Sequence, residues 1–120
     1  MVINGESGIM VDEQEGRDAP PEECRRVIEE AGGCRVLDVR TPAEFAQGHL
    51  EGAVNIDFYA PDFRSRLEKL DPAQPYVVYC KRGMRGAKAM EILKQAGFSR
   101  VYNISGGYDR WAAGGHPVQR

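Results

Sequence analysis

Cysteine is scarce in this chain and histidine scarcer, at three and two of 120 residues. Cys24, Cys34 and Cys80 contain no C-x-x-C pair and leave one thiol over, which argues against a disulfide framework. His49 and His116 stand far apart and near no cysteine pair, so no set of ligands has zinc-site spacing and no metal is expected. No apolar run approaches the roughly 18 residues of a membrane span. Residues 1–17 are polar and acidic, without the basic segment and apolar run of a secretory signal. The formal net charge is only −2, which excludes capture of nucleic acid or membrane by the overall field. Nor does a continuous apolar stripe exceed what a core needs. The expectation from these absences is a reduced, cytoplasmic, monomeric protein with free thiols.

What is present suffices for one domain with a buried core. Residues 1–17 have weak patterning and read as a loose arm, and residues 18–120 as the domain. Pro20-Pro21-Glu22-Glu23 opens a helix with acids in its first turn, and Cys24, Val27, Ile28 and Ala31 recur at helical spacing up to Gly32-Gly33. Arg35–Val39 is a short apolar strand with Asp38 and Arg40 at its tip. Thr41-Pro42-Ala43-Glu44 spells a capping box with proline at the first helical position, opening a short helix that ends near Gly48. Ala53–Ile56 reads as a strand and Phe63–Leu70 as a helix closed by Asp71-Pro72. Tyr76–Tyr79 is a strand, and Gly86–Ala96 a helix with Ala89, Ile92, Leu93 and Ala96 inward. Val101–Ile104 is the last strand, followed by a short helix around Trp111. Strands alternating with helices predict an α/β protein, a parallel sheet with helices on both faces. In such sheets ligands sit beyond the carboxyl ends of the strands.

Cys80 is placed there by its own strand. It is followed by Lys81-Arg82-Gly83-Met84-Arg85-Gly86, and residues 81–88 carry four cations and no acid. A helix start presents unpaired N–H groups and partial positive charge, which together with the side-chain cations favour a thiolate over a thiol. Gly83 and Gly86 allow a tight loop around it. Cys80 is therefore the candidate nucleophile, and a basic patch on a slightly acidic protein suggests a small anionic substrate. Cys24, at a helix-core spacing, and Cys34, at a strand entrance, read as structural.

Three separated motifs then carry a resemblance. They are Leu37-Asp38-Val39-Arg40-Thr41-Pro42-Ala43-Glu44-Phe45 running on to Gly48-His49-Leu50-Glu51-Gly52-Ala53-Val54-Asn55-Ile56, the loop Cys80–Arg85, and Ser105-Gly106-Gly107-Tyr108 with Trp111 and Gly115-His116-Pro117-Val118. In this order, over roughly residues 19–118, the chain resembles the single-domain rhodanese family. The resemblance implies a rhodanese-like fold, a parallel five-stranded sheet flanked by helices. It implies a thiosulfate sulfurtransferase-type enzyme without cofactor, in which Cys80 carries sulfur as a persulfide. The donor would be a small sulfane anion such as thiosulfate, and the acceptor cyanide, a thiol or a protein cysteine.

Within that reading Lys81, Arg82, Gly83, Met84 and Arg85 bind substrate. Arg85 is the candidate for the sulfonate end of the donor, its planar fork matching oxyanions, while Lys81 and Arg82 steer anions inward. The resemblance assigns Asp38, Arg40 and Glu44 structural work: Asp38 bonds nearby backbone and Arg40 pairs with Glu44. His49 is expected to be a hydrogen-bonded turn residue, and Trp111 core or lid packing. Gly86 stands where many relatives carry a serine-type cap, an expected loss of about 1 kcal/mol at the helix entrance. Two alternatives stay open: a sulfur carrier or interaction module whose acceptor is another protein, and a cysteine-dependent phosphatase or arsenate reductase. The phosphatase signature needs arginine six positions after the cysteine, where this chain has Gly86.

Overall fold

A computed structural model describes residues 16–120. Five strands alternate with five helices in the order β1 (Arg17–Ala19), α1 (Pro21–Glu30), β2 (Arg35–Asp38), α2 (Pro42–Gln47), β3 (Val54–Asn55), α3 (Phe63–Glu68), β4 (Tyr76–Tyr79), α4 (Met84–Gln95), β5 (Val101–Ile104) and α5 (Gly107–Ala113). The sheet is parallel throughout, with strand order β1-β5-β4-β2-β3. The expected α/β architecture with a five-stranded parallel sheet is the one found.

β4 lies at the centre, all four of its residues buried, as an apolar Tyr-Val-Val-Tyr run in a two-sided sheet should be. Its alternation sorts the core. Tyr76 and Val78 face the cluster built with Phe63 and Leu67 of α3 and Ala89 and Leu93 of α4. Val77 and Tyr79 face the opposite cluster, which holds Cys24 of α1 and Trp111 of α5. Cys80 continues the first parity and belongs to the α3–α4 side. The nucleophile candidate is thus aimed by strand periodicity before any loop residue acts on it.

Several expectations need correction. β1 begins at Arg17, inside the stretch expected to be a loose arm; residues 1–15 of that stretch lie outside the described residues. Three residues without apolar alternation give no strand signal, and their ladder to Tyr102, Asn103 and Ile104 is non-local. α4 starts at Met84 rather than Gly86, with Gly83 as its N-cap. Gly86 is therefore inside the first turn and not a cap. A side chain at 86 would run into Asn103 Oδ1, which is a packing reason for glycine there. On α4, Met90 is buried, whereas Ala96, the C-cap just beyond the helix, is exposed, reversing the expectation for Ala96. Among the described residues no helix is long and apolar enough to cross a membrane.

Candidate active site

Cys80 follows the last residue of β4 and is 2% exposed. Only Lys81, Arg82 and Gly83 separate it from α4, so the chain must reverse sharply. Gly83 makes the reversal at φ 117° and ψ −22°, a left-handed conformation that a side chain disfavours. Its N–H then donates to Cys80 Sγ at 3.0 Å. The loop is held from below by the start of α5. Tyr108 N–H donates to Cys80 O at 2.8 Å and Asp109 N–H to Lys81 O at 3.0 Å. This approach is why Gly107 is glycine: with φ at 64°, a Cβ there would lie 2.5 Å from Cys80 O and from Lys81 C and O.

The cations divide into two sets. Lys81 Nζ reaches Asp109 Oδ1 at 3.1 Å and Arg82 Nε stands 3.6 Å from Asp109 Oδ2, both exposed pairs. Arg85 is more committed: its Nη1 and Nη2 donate to Glu44 Oε1 and Oε2 at 3.0 and 3.2 Å, and its guanidinium lies 5.7 Å from the Tyr59 ring centroid. The Arg85 hydrogen bond holds the Glu44 carboxyl down to about 2, against burial that would raise it. Glu44 also closes the expected capping box of α2, accepting from Thr41 N–H while its own N–H donates to Thr41 Oγ1. One carboxylate therefore links the start of α2 to the first turn of α4.

Arg40 does not pair with Glu44, contrary to the expectation. It turns inward to Asp38, Nε bridging both carboxylate oxygens at 3.0 and 3.1 Å and Nη2 reaching Oδ2 at 2.7 Å. Arg85 occupies both Glu44 oxygens, and Asp38 is buried and needs a partner. Asp38 does bond nearby backbone as expected, accepting from Arg40 N–H at 2.9 Å. Arg40 Nη2 also donates to Gly48 O at 2.6 Å, and the guanidinium stacks 4.4 Å from the Tyr108 ring centroid. Tyr79 completes the knot, donating to Asp38 Oδ2 at 2.7 Å and accepting from Leu50 N–H at 3.0 Å. Burial pushes the Tyr79 phenol well above its ordinary value, so it stays a donor.

The remaining residues fall out plainly. Cys24 is fully buried, its thiol pushed by burial up to about 12, and Cys34, also through burial, up to about 11. Both are poor nucleophiles near neutrality. His49 Nδ1 lies 2.9 Å from Phe45 O with its ring stacked on Phe45, and Trp111 is buried with Nε1–H donating to Pro117 O. Arg64 and Arg66 lie on the exposed face of α3, Arg64 pairing with Glu68.

Cys80 opens onto a cleft of about 610 Å³ lined by Phe58, Tyr59, Lys81, Arg82, Met84, Arg85 and Lys88. Among the described residues no acid lines it, and Met84 and Tyr59 stand 77% and 66% exposed at its mouth. Lys88 is the fourth cation of the basic stretch 81–88, whereas nothing in the sequence alone marks Phe58, Tyr59, Tyr79 or Asn103 as site residues. The signal available for Asn103 was one amide inside an otherwise apolar strand.

Comparison with known proteins agrees with this layout. The family model described as "Rhodanese-like domain" matches residues 20–114. "Thiosulfate sulfurtransferase 16, chloroplastic" of Arabidopsis thaliana is 39% identical over 97 residues, covering 72% of this chain and 81% of that protein. "Thiosulfate sulfurtransferase GlpE" of Pseudomonas aeruginosa is 37% identical over 92 residues, covering 76% and 79%. A rhodanese-related protein of Thermoplasma volcanium superposes with a TM-score of 0.75 at 30% identity, covering 86% of this chain and 97% of that one. With its cysteine loop, its double-glycine turn and these relatives taken together, the chain belongs to the rhodanese-like domain family.

Proposed function

We propose that this protein is a sulfurtransferase of the thiosulfate type, with Cys80 as the sulfur carrier. The Cys80 thiolate attacks the outer sulfur of a sulfane donor such as thiosulfate. A bond forms between Sγ and that sulfur, the donor's S–S bond breaks, and sulfite leaves with the bonding electron pair. An acceptor nucleophile then attacks the outer sulfur of the persulfide, and Cys80 departs as thiolate. With cyanide the product is thiocyanate; a thiol or protein cysteine would be persulfidated instead. No proton need be delivered to either leaving group, so the reading requires no general base, metal or cofactor.

The observation that carries the reading is the Gly83 N–H directed at Cys80 Sγ from a loop in which only Lys81, Arg82 and Gly83 separate the cysteine from α4. A backbone donor there stabilises the Cys80 thiolate, both as the attacking group of the first step and as the departing group of the second. Lys81 and Arg82 draw anions in, and Met84 flanks the entrance. Arg85 serves the donor's sulfonate by charge rather than by a free fork, because both its terminal nitrogens are on Glu44. The phosphatase alternative lacks an arginine at position 86, where this chain has glycine.

A second reading is favoured by one observation, the exposed Met84 and Tyr59 beside the thiol. Thiosulfate gains nothing from apolar walls, whereas a protein acceptor covers them. A carrier handing sulfur to a partner protein uses the same persulfide and differs only in its acceptor.

The test is thiocyanate formation from thiosulfate and cyanide by wild type and Cys80→Ser. Activity in wild type that disappears in the folded variant supports the reading. Mass spectrometry after thiosulfate alone should find one added sulfur, about 32 Da, on Cys80. A folded, reduced wild type with neither adduct nor thiocyanate would refute it.

A further inference from the structure

We infer that Asn103, oriented by Asp18, is a positioning residue for the Cys80 loop: its amide fixes the Gly83 carbonyl and with it the Gly83 N–H that faces the sulfur. The inference rests on Cys80 being the working thiol.

Asn103 stands in the interior of β5, 1% exposed, opposite Asp18 of β1 and Val78 of β4 in the strand register. Its neighbours in β5 are Tyr102 and Ile104, and a β-branched residue would suit the site as a strand position. The amide is instead a liability to the core. Its Oδ1 is, among the described residues, the one buried side-chain polar atom with no hydrogen-bond partner, and an unpaired buried acceptor is destabilising. A residue that weakens the core where it stands has its use in what its donors hold.

Those donors have definite targets. Nδ2 donates to Asp18 Oδ1 at 2.8 Å and to Gly83 O at 3.0 Å. Asp18 sets the amide's orientation, because exchanging oxygen for nitrogen would put the amide oxygen against a carboxylate and a carbonyl at once. Gly83 O also accepts the first helical bond of α4, from Ala87 N–H at 2.9 Å. Gly83 is the residue of this loop with the greatest conformational freedom, and no side chain caps the helix there. Its N–H meets the sulfur on one side while its carbonyl is tied to β5 on the other. Glycine at 86 leaves the space in which the amide oxygen rests.

The experiment uses the full chain, comparing wild type with Asn103→Ala and Asp18→Ala. Thiosulfate:cyanide kinetics and alkylation of Cys80 by iodoacetamide are both followed, the alkylated site being identified by peptide mass. Asn103→Ala is expected to lower kcat about ten-fold, the effect of losing one hydrogen bond to an anion, with KM for thiosulfate within about two-fold. Alkylation at neutral pH should slow by a similar factor and return to the wild-type rate at alkaline pH. Asp18→Ala, on an exposed edge, should shift both readouts the same way by less. A merely structural asparagine would change the melting temperature and leave the pH profile of alkylation alone. Wild-type kcat and alkylation in the folded variants would overturn the proposal, as would a fall in kcat with unchanged alkylation. If Asn103→Ala does not fold, Asp18→Ala decides by the same criteria. Alkylation needs neither donor nor acceptor, so it tests the positioning even if the wild type transfers no sulfur.

Discussion

Glu44 shows how one side chain can tie chemistry to stability. It caps α2 with one hand and holds Arg85 beside the thiol with the other. Its carboxyl is held, mainly by the Arg85 hydrogen bond, at about 2, below an ordinary value of 4.5. A depressed folded value adds stability that is fully present above pH 4.5 and lost as the pH falls from there toward 2. Melting temperatures measured across that window should therefore drop more steeply in wild type than in Glu44→Gln, which cannot titrate. Parallel curves would dissociate the ion pair from folding stability. Gly107 supplies a second test at this scale. Gly107→Ala forces a Cβ onto the Cys80 and Lys81 carbonyls in a left-handed conformation, so a loss of at least about 2 kcal/mol is expected by chemical denaturation. Sulfur transfer should fall with it, because the loop that would have to move is the one carrying the thiol.

Each helix next to the site is positioned by its first turn. α2 begins at a complete capping box, and Thr41→Ala should cost about 1 kcal/mol of stability in urea titrations. It should also loosen Glu44 and so reduce kcat modestly; unchanged kcat with the full stability loss would confine Thr41 to capping. This box was legible in Thr41-Pro42-Ala43-Glu44, because capping is a local transaction among four residues. The strand–cysteine–helix order around Cys80 was equally legible, since the apolar Tyr76–Tyr79 run and the following glycine are both local signals. The start of α4 was not. Gly83 and Gly86 are equivalent as letters; what separates the cap from the in-turn glycine is the left-handed backbone of Gly83 and the packing of Asn103 against Gly86, neither of which is written in the local sequence. The partner of Arg40 was misread for the same reason: Glu44 is a near neighbour in sequence, but Arg85 comes from a distant helix and takes it. β1 escaped because its pairing lies with β5, at the other end of the chain.

Across the whole molecule, the two core clusters meet at β4, and the site hangs from that strand. Cys80 belongs to one cluster and Tyr79, the residue before it, to the other. Tyr79 binds the Asp38 carboxylate at the end of β2 and the Leu50 amide after α2, so one phenol joins three segments behind the loop. Its ring points away from the cleft by strand parity, and the cleft lining does not include it. Tyr79→Phe keeps the ring and strips both bonds, leaving the Leu50 N–H without its partner and Asp38 with one donor fewer. The expected loss is about 2 kcal/mol, seen as a melting temperature lower by several degrees. Because Arg40 still neutralises Asp38 and the Cys80 loop is held separately by the Tyr108 and Asp109 N–H groups, kcat below the melting transition should stay within about two-fold of wild type. A variant equally stable but slow would reverse that assignment and make Tyr79 part of the chemistry rather than of the frame that holds it.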